Sequence, residues 1–324
     1  DQGRPDRMLR LLQGDVGSGK TFVALMAILT ALESGAQAAL LAPTEILARQ
    51  HYQGLSKLLK PLGLAPVLLS GSTKQKERQD ILKGLADGSC QIAIGTHALL
   101  TDEVLFADLA LAVVDEQHRF GVRQRLVLGQ KGKNCDVLVM TATPIPRTLA
   151  MTAYGDLTVS RLDEKPAGRQ DIETALISQD RLADVTARLA AAISNGQRAY
   201  WICPLVEETD KLDAAAAEDR HRALTAILPD SNPVLAHGRM KTEQREEAMS
   251  AFKDGTSKLL VATTVIEVGV DVPEASIIII EHAERFGLAQ LHQLRGRVGR
   301  GDKKSSCILM YQPPLSDTAR SRLK

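Results

Sequence analysis

A glycine-rich stretch near the start of the chain contains the residue types that bind phosphate. It reads Gly-Asp-Val-Gly-Ser-Gly-Lys-Thr and fits the pattern G-x-x-x-x-G-K-[ST] without a mismatch. Glycine has no Cβ, so backbone N–H groups can surround an anion, while lysine and threonine supply a positive charge and a Mg²⁺ ligand. We therefore predict a site for nucleotide phosphates at Gly14, Asp15, Val16, Gly17, Ser18, Gly19, Lys20 and Thr21.

Two adjacent acids follow an apolar run that begins at Leu111. Acids placed where a strand leaves a parallel sheet face the crevice in which ligands bind. Asp115 is suited to hold Mg²⁺, and Glu116 is suited to orient and deprotonate an attacking water. The alternative interpretation is a solvated strand end with no chemical role.

Three arginines lie among glycines in the segment Gln293–Gly301. By itself such a cluster is more often a solvated face or a phosphate patch than a catalytic element. An enzyme that hydrolyses a nucleotide also needs a cation for the charge that develops on the transferred phosphoryl group, and arginine suits that task. If another domain supplies the arginine, hydrolysis depends on domain closure. The segment 263–271 also follows an apolar run and is expected to face a crevice.

Short apolar runs alternate with helix-length segments, which is typical of parallel α/β sheets. A helix is predicted from about Lys20, and others at Glu45–Lys60, Lys74–Ala86 and Ile145–Ala153. Strands are predicted at Met8–Leu12, Ala38–Ala42, Pro66–Ser70, Gln91–Thr96, Leu111–Asp115 and Val137–Thr141.

The polar segment Asp163–Arg169 contains proline and glycine and is interpreted as a linker. A second α/β series follows it, with helices at Arg181–Ser194 and Thr242–Lys253. Its strands are predicted at Glu173–Ile177, Ala199–Cys203, Pro233–Ala236, Lys258–Ala262, Ile277–Glu281 and Ser306–Tyr311.

Composition restricts the class of protein. The 324 residues are 44% hydrophobic and 24% charged, with a net charge of +1, which suits a globular chain of two domains. No apolar run is long enough for a membrane span, and four scattered cysteines suit a reducing cytoplasm. Aromatic residues make up only 3%, which disfavours extensive stacking on exposed bases. The first residue is not methionine, so we expect the sequence to be part of a longer chain.

The motifs occur in the order known for superfamily 2 helicases, and the chain resembles the motor part of the RecG-type DNA helicases. The stretches that carry this resemblance are Gly14–Thr21, Asp115–Gly121, Thr141–Thr148 and Phe286–Gly301. The resemblance implies two tandem RecA-like P-loop domains in the α/β class, with mainly parallel sheets and flanking helices. It also implies an ATP-dependent helicase with Mg²⁺ as cofactor, acting on double-stranded or branched DNA in recombination and repair.

Roles for individual residues follow from the same resemblance. Lys20 and Thr21 bind phosphate and Mg²⁺. The catalytic acids are Asp115 and Glu116, of which Asp115 is also the second Mg²⁺ ligand. Gln293, Arg297 and Arg300 match the last motif, and the two arginines are candidates for an arginine finger. Gly269 and Asp271 match the motif that senses nucleotide and DNA. Thr141–Pro144 is either a relay of the γ-phosphate state or a plain turn.

Contacts to DNA are predicted at loops that face the crevice in both domains. Hydroxyls, backbone N–H groups and arginines there can hold phosphates without reading sequence. For each loop alone, a purely structural role is equally open. The candidates are Pro43, Thr44, Arg49, Gln50, Gly71, Ser72, Thr96, His97, His237, Gly238 and Arg239.

The predicted organisation is an ATP-binding domain at 1–165, a C-terminal helicase domain at 166–312 and a tail at 313–324. We expect a monomer that hydrolyses ATP at the cleft between the domains and remodels stalled forks and Holliday junctions. The alternatives are the motor of a transcription-repair coupling factor and a non-hydrolysing, nucleotide-gated DNA-binding module. No stretch of the sequence matches the family's wedge domain, its adenine-reading glutamine or its downstream hairpin.

Overall fold

The chain divides into two compact units in the computed structural model, Asp1–Lys165 and Pro166–Lys324. The structure describes residues 1–4, 6–15, 17–115, 128, 131–132, 134–142, 157–164, 172–204, 210–263, 272–299, 301 and 303–323. Each unit is built around one parallel sheet.

The first unit contains a seven-stranded sheet in the order β3-β4-β2-β5-β6-β1-β7, and its paired strands all run parallel. Its strands are buried on both faces, so most of them are continuous apolar runs rather than alternating ones. They span β1 (Leu9–Gly14), β2 (Gln37–Leu41), β3 (Val67–Leu69), β4 (Ile92–Gly95), β5 (Leu109–Val114), β6 (Asp136–Thr141) and β7 (Thr158–Leu162).

Helices cover both faces of this sheet. On one face, α1 (Lys20–Glu33) and α2 (Glu45–Leu59) pack on a set of strand residues that includes Leu12 and Leu40. On the opposite face, α3 (Gln75–Asp87) packs against the set that includes Leu11. Successive strand residues thus enter separate cores, as the two-residue period of a strand requires.

The second unit contains a six-stranded sheet in the order β10-β11-β9-β12-β13-β8, again with parallel pairing. The central strand β9 sends Tyr200 into one core and Trp201 into the other. The strands span β8 (Ile172–Ser178), β9 (Arg198–Ile202), β10 (Val234–Ala236), β11 (Leu259–Ala262), β12 (Ala275–Ile280) and β13 (Ser305–Tyr311).

The helices of the second unit also divide between the two faces. On the Trp201 side lie α4 (Leu182–Ser194) and α5 (Asp210–Ile227). On the Tyr200 side lie α6 (Thr242–Asp254) and α7 (Leu288–Arg295). A last helix, α8 (Asp317–Leu323), closes the described part of the chain.

These elements confirm the predicted α/β class, and each predicted strand is found with ends within two residues of the prediction. Strand β7 was missed because its sequence is polar and its side chains are half exposed at the sheet edge. The predicted helix Ile145–Ala153 lies outside the described residues. Of the predicted linker Asp163–Arg169, only Asp163 and Glu164 are among the described residues.

The segment 313–324 needs a correction, because it is not simply a tail. Its helix α8 packs on the second unit: Ala319 is buried, and the Arg322 guanidinium donates to the carbonyl oxygens of Phe286 and Glu284, each at 3.2 Å. The prediction failed because the segment is polar in sequence and its partners are more than 30 residues away.

One glycine of the first sheet is required by a close approach between strands. A Cβ on Gly95, at the end of β4, would lie 2.1 Å from the carbonyl oxygen of Leu69 on β3. By contrast, a Cβ on Gly54, in the exposed part of α2, would meet nothing within 4 Å.

We expect Gly95→Ala to destabilise the first unit by about 1–3 kcal/mol, because the two strands must separate to admit the methyl group. Gly54→Ala is the matched control and should stabilise the protein by about 0.5–1 kcal/mol, since alanine loses less entropy in a helix. Urea denaturation followed by circular dichroism measures both changes. Equal stabilities for the two variants would contradict the strand geometry.

Candidate functional site

The strand order of the first unit determines which loops meet at its carboxyl edge. In parallel strands, the loops that follow the carboxyl ends lie along the same edge of the sheet. Strands β5, β6 and β1 are consecutive neighbours, with Val114 opposite Val139 and Gln13 opposite Thr141. Neighbouring strands are about 4.8 Å apart, so Asp115 follows a strand only about 10 Å from the one that ends at Gly14.

The loop after β1 has the backbone that its glycines predict. Gly17 and Gly19 have φ angles of 84° and 95°, in the left-handed region that side chains disfavour. A Cβ on Gly14 would lie 2.6 Å from Oγ of Ser18 and 2.9 Å from Cβ of Leu162 on β7. A side chain at Gly14 would therefore displace Ser18 or β7, whereas one at Gly17 or Gly19 would strain the backbone.

Lys20 is the charged centre of this loop. Its ammonium donates to the carbonyl oxygens of Gly14 at 2.7 Å and Asp15 at 2.8 Å, and the residue is buried. Thr21, the next residue in the first turn of α1, is exposed. Helix α1 begins at Lys20, so its N-terminal N–H groups and positive dipole end lie at the same loop.

These residues fit a nucleotide triphosphate with Mg²⁺. The loop has two left-handed glycines, and a Cβ at Gly19 would meet nothing within 4 Å, so the backbone is open on that side. The donor set consists of a lysine ammonium, a threonine hydroxyl and, on a nearby strand, the carboxylate of Asp115. Hydroxyl and carboxylate oxygens are the ligands that Mg²⁺ takes in phosphate sites.

The Asp115 carboxylate is held by a residue that the sequence analysis did not single out. Its Oδ2 lies 2.7 Å from Nε2 of His51 on α2, and the two side chains are 11% and 10% exposed. A carboxylate can only accept, so the imidazole donates its Nε2–H. The signal in the sequence was the position of His51 one helical turn from Leu47 and Leu55, on the sheet-facing stripe of α2.

Two of the predicted DNA-contact segments meet around one carboxylate. Glu45, in the first turn of α2, accepts hydrogen bonds from the hydroxyls of Ser70 and Ser72 and from the backbone N–H of Ser72 at 3.2 Å. The Arg49 guanidinium, one turn along α2, donates to the Ser72 hydroxyl at 3.2 Å. The loops after β2 and β3 are thereby joined into one polar surface.

The pKa of Glu45 reflects these contacts. Partial burial raises it, but the hydrogen bonds from Ser70 and Ser72 and the positive charge of Arg49 outweigh burial, and the pKa is lowered from its ordinary value of 4.5. Glu45 is therefore ionised at neutral pH, and its negative charge in the first turn stabilises α2 by interacting with the positive end of the helix dipole.

Other predicted DNA contacts of the first unit differ in exposure. Gly71, Gln50 and His97 are exposed, and Pro43 is half-buried. Thr44 is the N-cap of α2, where its hydroxyl accepts from the N–H of Leu47 at 3.4 Å. The side chain of Thr96, the residue after β4, is buried, so the prediction of a DNA contact there rests on the exposed His97 next to it.

In the second unit, the loop after β10 presents Gly238 and Arg239 to solvent. His237 instead is buried: its Nδ1 accepts from the N–H of Arg239 at 3.3 Å, and its Nε2 lies 3.4 Å from Oε1 of Glu218. His237 therefore shapes the turn, and Arg239 is the exposed cation of this predicted contact.

The arginine-rich segment of the second unit is largely buried where it is described. Gln293 on α7 is 6% exposed and Arg297 is 9% exposed. A Cβ on Gly301 would lie 2.6 Å from the carbonyl oxygen of Pro273, so Gly301 lies directly against the main chain at Pro273.

A buried charged cluster in the second unit was missed from the sequence. Glu281 follows β12 and accepts from the indole N–H of Trp201 and from Arg220 on α5, with one Arg220–Glu281 contact at 3.0 Å. The Arg220 guanidinium carbon is 5.8 Å from the centroid of the Trp201 ring. The cluster ties α5 to the carboxyl ends of β9 and β12.

Several predicted site residues lie outside the described residues. They are Val16, Glu116, Gly269, Asp271 and Arg300, together with the neighbouring Gln117 and His118.

The cysteines do not provide a nucleophile. Burial raises the pKa of the Cys135 and Cys307 thiols to about 12, and it raises the pKa of Cys90 and Cys203 as well. A thiol is reactive as thiolate, so none of the four is activated at neutral pH. Among the residues that the structure describes, no group of three or more metal-binding side chains occurs. Within the same part of the chain, no helix has the length and apolar character to cross a membrane.

Two family models match the chain, one on each unit. Residues 6–152 match the DEAD/DEAH box helicase family, and residues 182–302 match the helicase conserved C-terminal domain.

Individual relatives agree with these matches. The ATP-dependent DNA helicases RecG of Pasteurella multocida and Haemophilus influenzae are 55% and 54% identical to the chain, over 100% and 98% of its length. A structure of RecG bound to a three-way DNA junction has a TM-score of 0.79 at 42% identity and covers the whole chain. The alignments cover 48%, 46% and 42% of those proteins, so the chain spans about half the length of the relatives it matches.

We expect Glu45→Ala to destabilise the first unit by about 1–2 kcal/mol at pH 7, because three donors lose a charged acceptor. The pKa of Glu45 is lowered in the folded protein, so its contribution is present above the ordinary value of 4.5 and is lost as the pH falls through the lowered value. Urea denaturation between pH 7 and pH 3 measures the difference between variant and parent.

Glu77→Ala is the matched control, because Glu77, like Glu45, lies in the first turn of a helix, α3, but is exposed. It should cost only the few tenths of a kcal/mol of a helix-end charge. A Glu45→Ala penalty that stays constant down to pH 3 would show that the charge of Glu45 is not the source of its effect.

Proposed function

This chain belongs to the RecG-type ATP-dependent DNA helicases, of which it comprises the two motor domains, and on that basis we propose that it hydrolyses ATP to move along double-stranded DNA and remodel branched DNA. Stalled forks and Holliday junctions are the proposed substrates, in recombination and repair. The proposal concerns the motor, since the chain spans about half the length of these relatives.

One observation carries the proposal. The phosphate loop that contains Lys20 and the strand that ends before Asp115 lie at the same edge of one parallel sheet. Along that edge, on β2 and β3, the Glu45–Arg49–Ser72 network forms a polar surface. A nucleotide site and a phosphate-binding surface on one rigid sheet are what a DNA motor requires.

The nucleotide site is assigned to residues of both units. Lys20 would neutralise the β- and γ-phosphates, the backbone N–H groups of 14–19 would surround them, and Thr21 and Asp115 would hold Mg²⁺. When bound, Mg²⁺ supplies positive charge that offsets the charge developing on the phosphoryl oxygens. We assign Glu116 as the general base that takes the proton of the attacking water.

The second unit is proposed to supply the remaining groups. Gln293, Arg297 and Arg300 would contact the γ-phosphate when the two units close on ATP, and Gly269 and Asp271 would report the nucleotide state to DNA. Arginine suits the transition state because its planar fork donates two parallel hydrogen bonds to phosphoryl oxygens. Cycles of closing and opening would then convert hydrolysis into steps along DNA.

DNA is proposed to lie on the loops after β2, β3, β4 and β10. The exposed groups are those of Arg49, Ser72, His97 and Arg239, which are cations, a hydroxyl and a ring N–H, suited to phosphate oxygens rather than to base edges. Support for branched DNA as the substrate comes from the relative whose structure was solved with a three-way DNA junction.

We expect Lys20→Ala and Glu116→Gln to separate binding from chemistry. Lys20→Ala removes a charge from the phosphates and should weaken ATP binding by about 2 kcal/mol, or roughly 30-fold. Glu116→Gln keeps size and hydrogen bonding but cannot accept a proton, so ATP should still bind while kcat falls by about 10²–10⁴. Fluorescent-nucleotide titration and ATPase assays, with and without branched DNA, measure both.

Lys57→Ala is the control for a lost surface charge, since Lys57 lies exposed in the last turn of α2. It should match the parent in both assays. Full turnover in Lys20→Ala would remove the phosphate loop from the reaction, and equal loss of binding in Glu116→Gln would make Glu116 a structural residue.

DNA binding should weaken steeply with salt, because contacts to phosphates release counterions. For about 4 neutralised phosphates, the slope of log K against log salt concentration on duplex DNA is expected to be roughly −4. Arg49→Ala should reduce the slope by about 1 and weaken binding equally on unrelated sequences. Fluorescence anisotropy at several salt concentrations, with Lys57→Ala as the control on the same helix, measures the slope. An unchanged slope in Arg49→Ala would place DNA elsewhere.

A further inference from the structure

The contact between His51 and Asp115 has no explanation in packing alone. The sheet-facing positions of α2 include Ala48, Leu55 and Leu59, all buried. His51 interrupts this apolar stripe, and its Nε2 lies 2.7 Å from Oδ2 of Asp115 with only 10% of the side chain exposed. An apolar residue would fill the same place, so the imidazole is present for the carboxylate.

Asp115 contacts the two elements that the connection between β2 and α2 joins, strand β2 and helix α2. Its backbone N–H donates to the carbonyl oxygen of Leu41, the last residue of β2, at 2.9 Å. Its side chain meets His51 two turns into α2. The segment between these contacts contains Pro43 and Thr44, two of the predicted DNA contacts. A displacement of α2 therefore acts on the Asp115 side chain through His51, while the backbone bond anchors its main chain.

Helix α2 also carries the groups proposed to face DNA. Arg49 and Gln50 precede His51 directly and are exposed, and Arg49 reaches Ser72 at 3.2 Å. Glu45 in the first turn binds Ser70 and Ser72. Arg49 and His51 are two residues apart on one rigid helix. A displacement of Arg49 therefore moves His51 directly.

We propose that His51 is a positioning residue that couples DNA binding on α2 to the nucleotide site by holding Asp115. The Nε2–H of His51 orients the carboxylate, and phosphate contacts at Arg49 and Gln50 shift α2 so that Asp115 takes the orientation in which ATP is hydrolysed. The inference rests on the proposed function and adds the residue through which DNA stimulates hydrolysis.

The test uses three substitutions of different reach. His51→Leu keeps an apolar residue on the stripe and removes the donor. His51→Gln places an amide N–H close to the position of Nε2, and His51→Asn places it one methylene short. Gln53→Ala, at an exposed position of the same helix, is the control. For each variant, kcat and KM for ATP are measured without DNA and with saturating duplex DNA.

The expected result is a change in coupling rather than in binding. In His51→Leu and His51→Asn, the ratio of DNA-stimulated to basal kcat should fall about tenfold, within the range of typical coupling energies, with KM for ATP changed less than about twofold. His51→Gln should keep most of the ratio, and Gln53→Ala should equal the parent. Thermal melting verifies that each variant is folded, and if His51→Leu is not, the comparison of Gln with Asn decides.

Coupling is reciprocal, which supplies a readout that does not depend on turnover. If DNA binding and nucleotide binding are coupled through His51, a non-hydrolysable ATP analogue with Mg²⁺ changes the Kd for DNA by the same factor by which DNA changes the Kd of the analogue, and both changes should vanish in His51→Leu. Fluorescence anisotropy with and without the analogue measures it.

The outcomes separate the inference from the function on which it rests. A parent protein whose ATPase is not stimulated by DNA would contradict the proposed function and the inference together. A stimulated parent with an unchanged ratio in His51→Leu would overturn the inference alone. Loss of the ratio in His51→Gln as well would show that the imidazole acts through packing and not through its N–H donor.

Discussion

Parallel pairing of the strands is the constraint on which the other features depend. Because every paired strand of the first sheet runs in the same direction, the loops that follow β1, β2, β3, β4 and β5 all leave from one edge. The phosphate loop, the acid at Asp115 and the Glu45 network are far apart in sequence and close along that edge. The order β5-β6-β1 places Asp115 near the glycine-rich loop, the two parts of the proposed nucleotide site. Strands β2, β4 and β3 continue the same edge away from that site.

Charged groups at this edge are held by neutral dipoles and by each other. Lys20 binds two backbone carbonyls, Asp115 binds His51, and Glu45 binds two serines. A buried charge without such partners would cost several kcal/mol, so these contacts determine how the side chains are oriented. The same contacts connect neighbouring loops, and Asp115 in particular joins β5 to both ends of the connection from β2 to α2.

In the second unit, polar side chains at the carboxyl ends of the strands are also bound by polar partners. Glu281, just after β12, is held by Trp201 on β9 and Arg220 on α5. His237, after β10, is turned inward toward Glu218, which leaves Arg239 as the exposed cation. In both units the more buried polar residues orient the loops, and the exposed arginines beside them, Arg49 and Arg239, belong to the proposed DNA surface.

The sequence by itself determined the α/β class, the positions of all but one of the described strands and the glycine-rich turn proposed as the phosphate loop, because these depend on local signals. Apolar runs, helix periods and the left-handed glycines at 17 and 19 act within a few residues of one another. The polar edge strand β7 and the helix α8 gave no such signal, since their stability comes from partners elsewhere in the chain. Only the tertiary structure decided that His51 meets Asp115, 64 residues away, and that Glu45 meets Ser70 and Ser72. It also decided that Thr96 and His237 are buried rather than exposed. The physical reason is that the residue type limits which hydrogen bonds a side chain can make, whereas strand order and helix packing determine which partner lies within hydrogen-bonding distance.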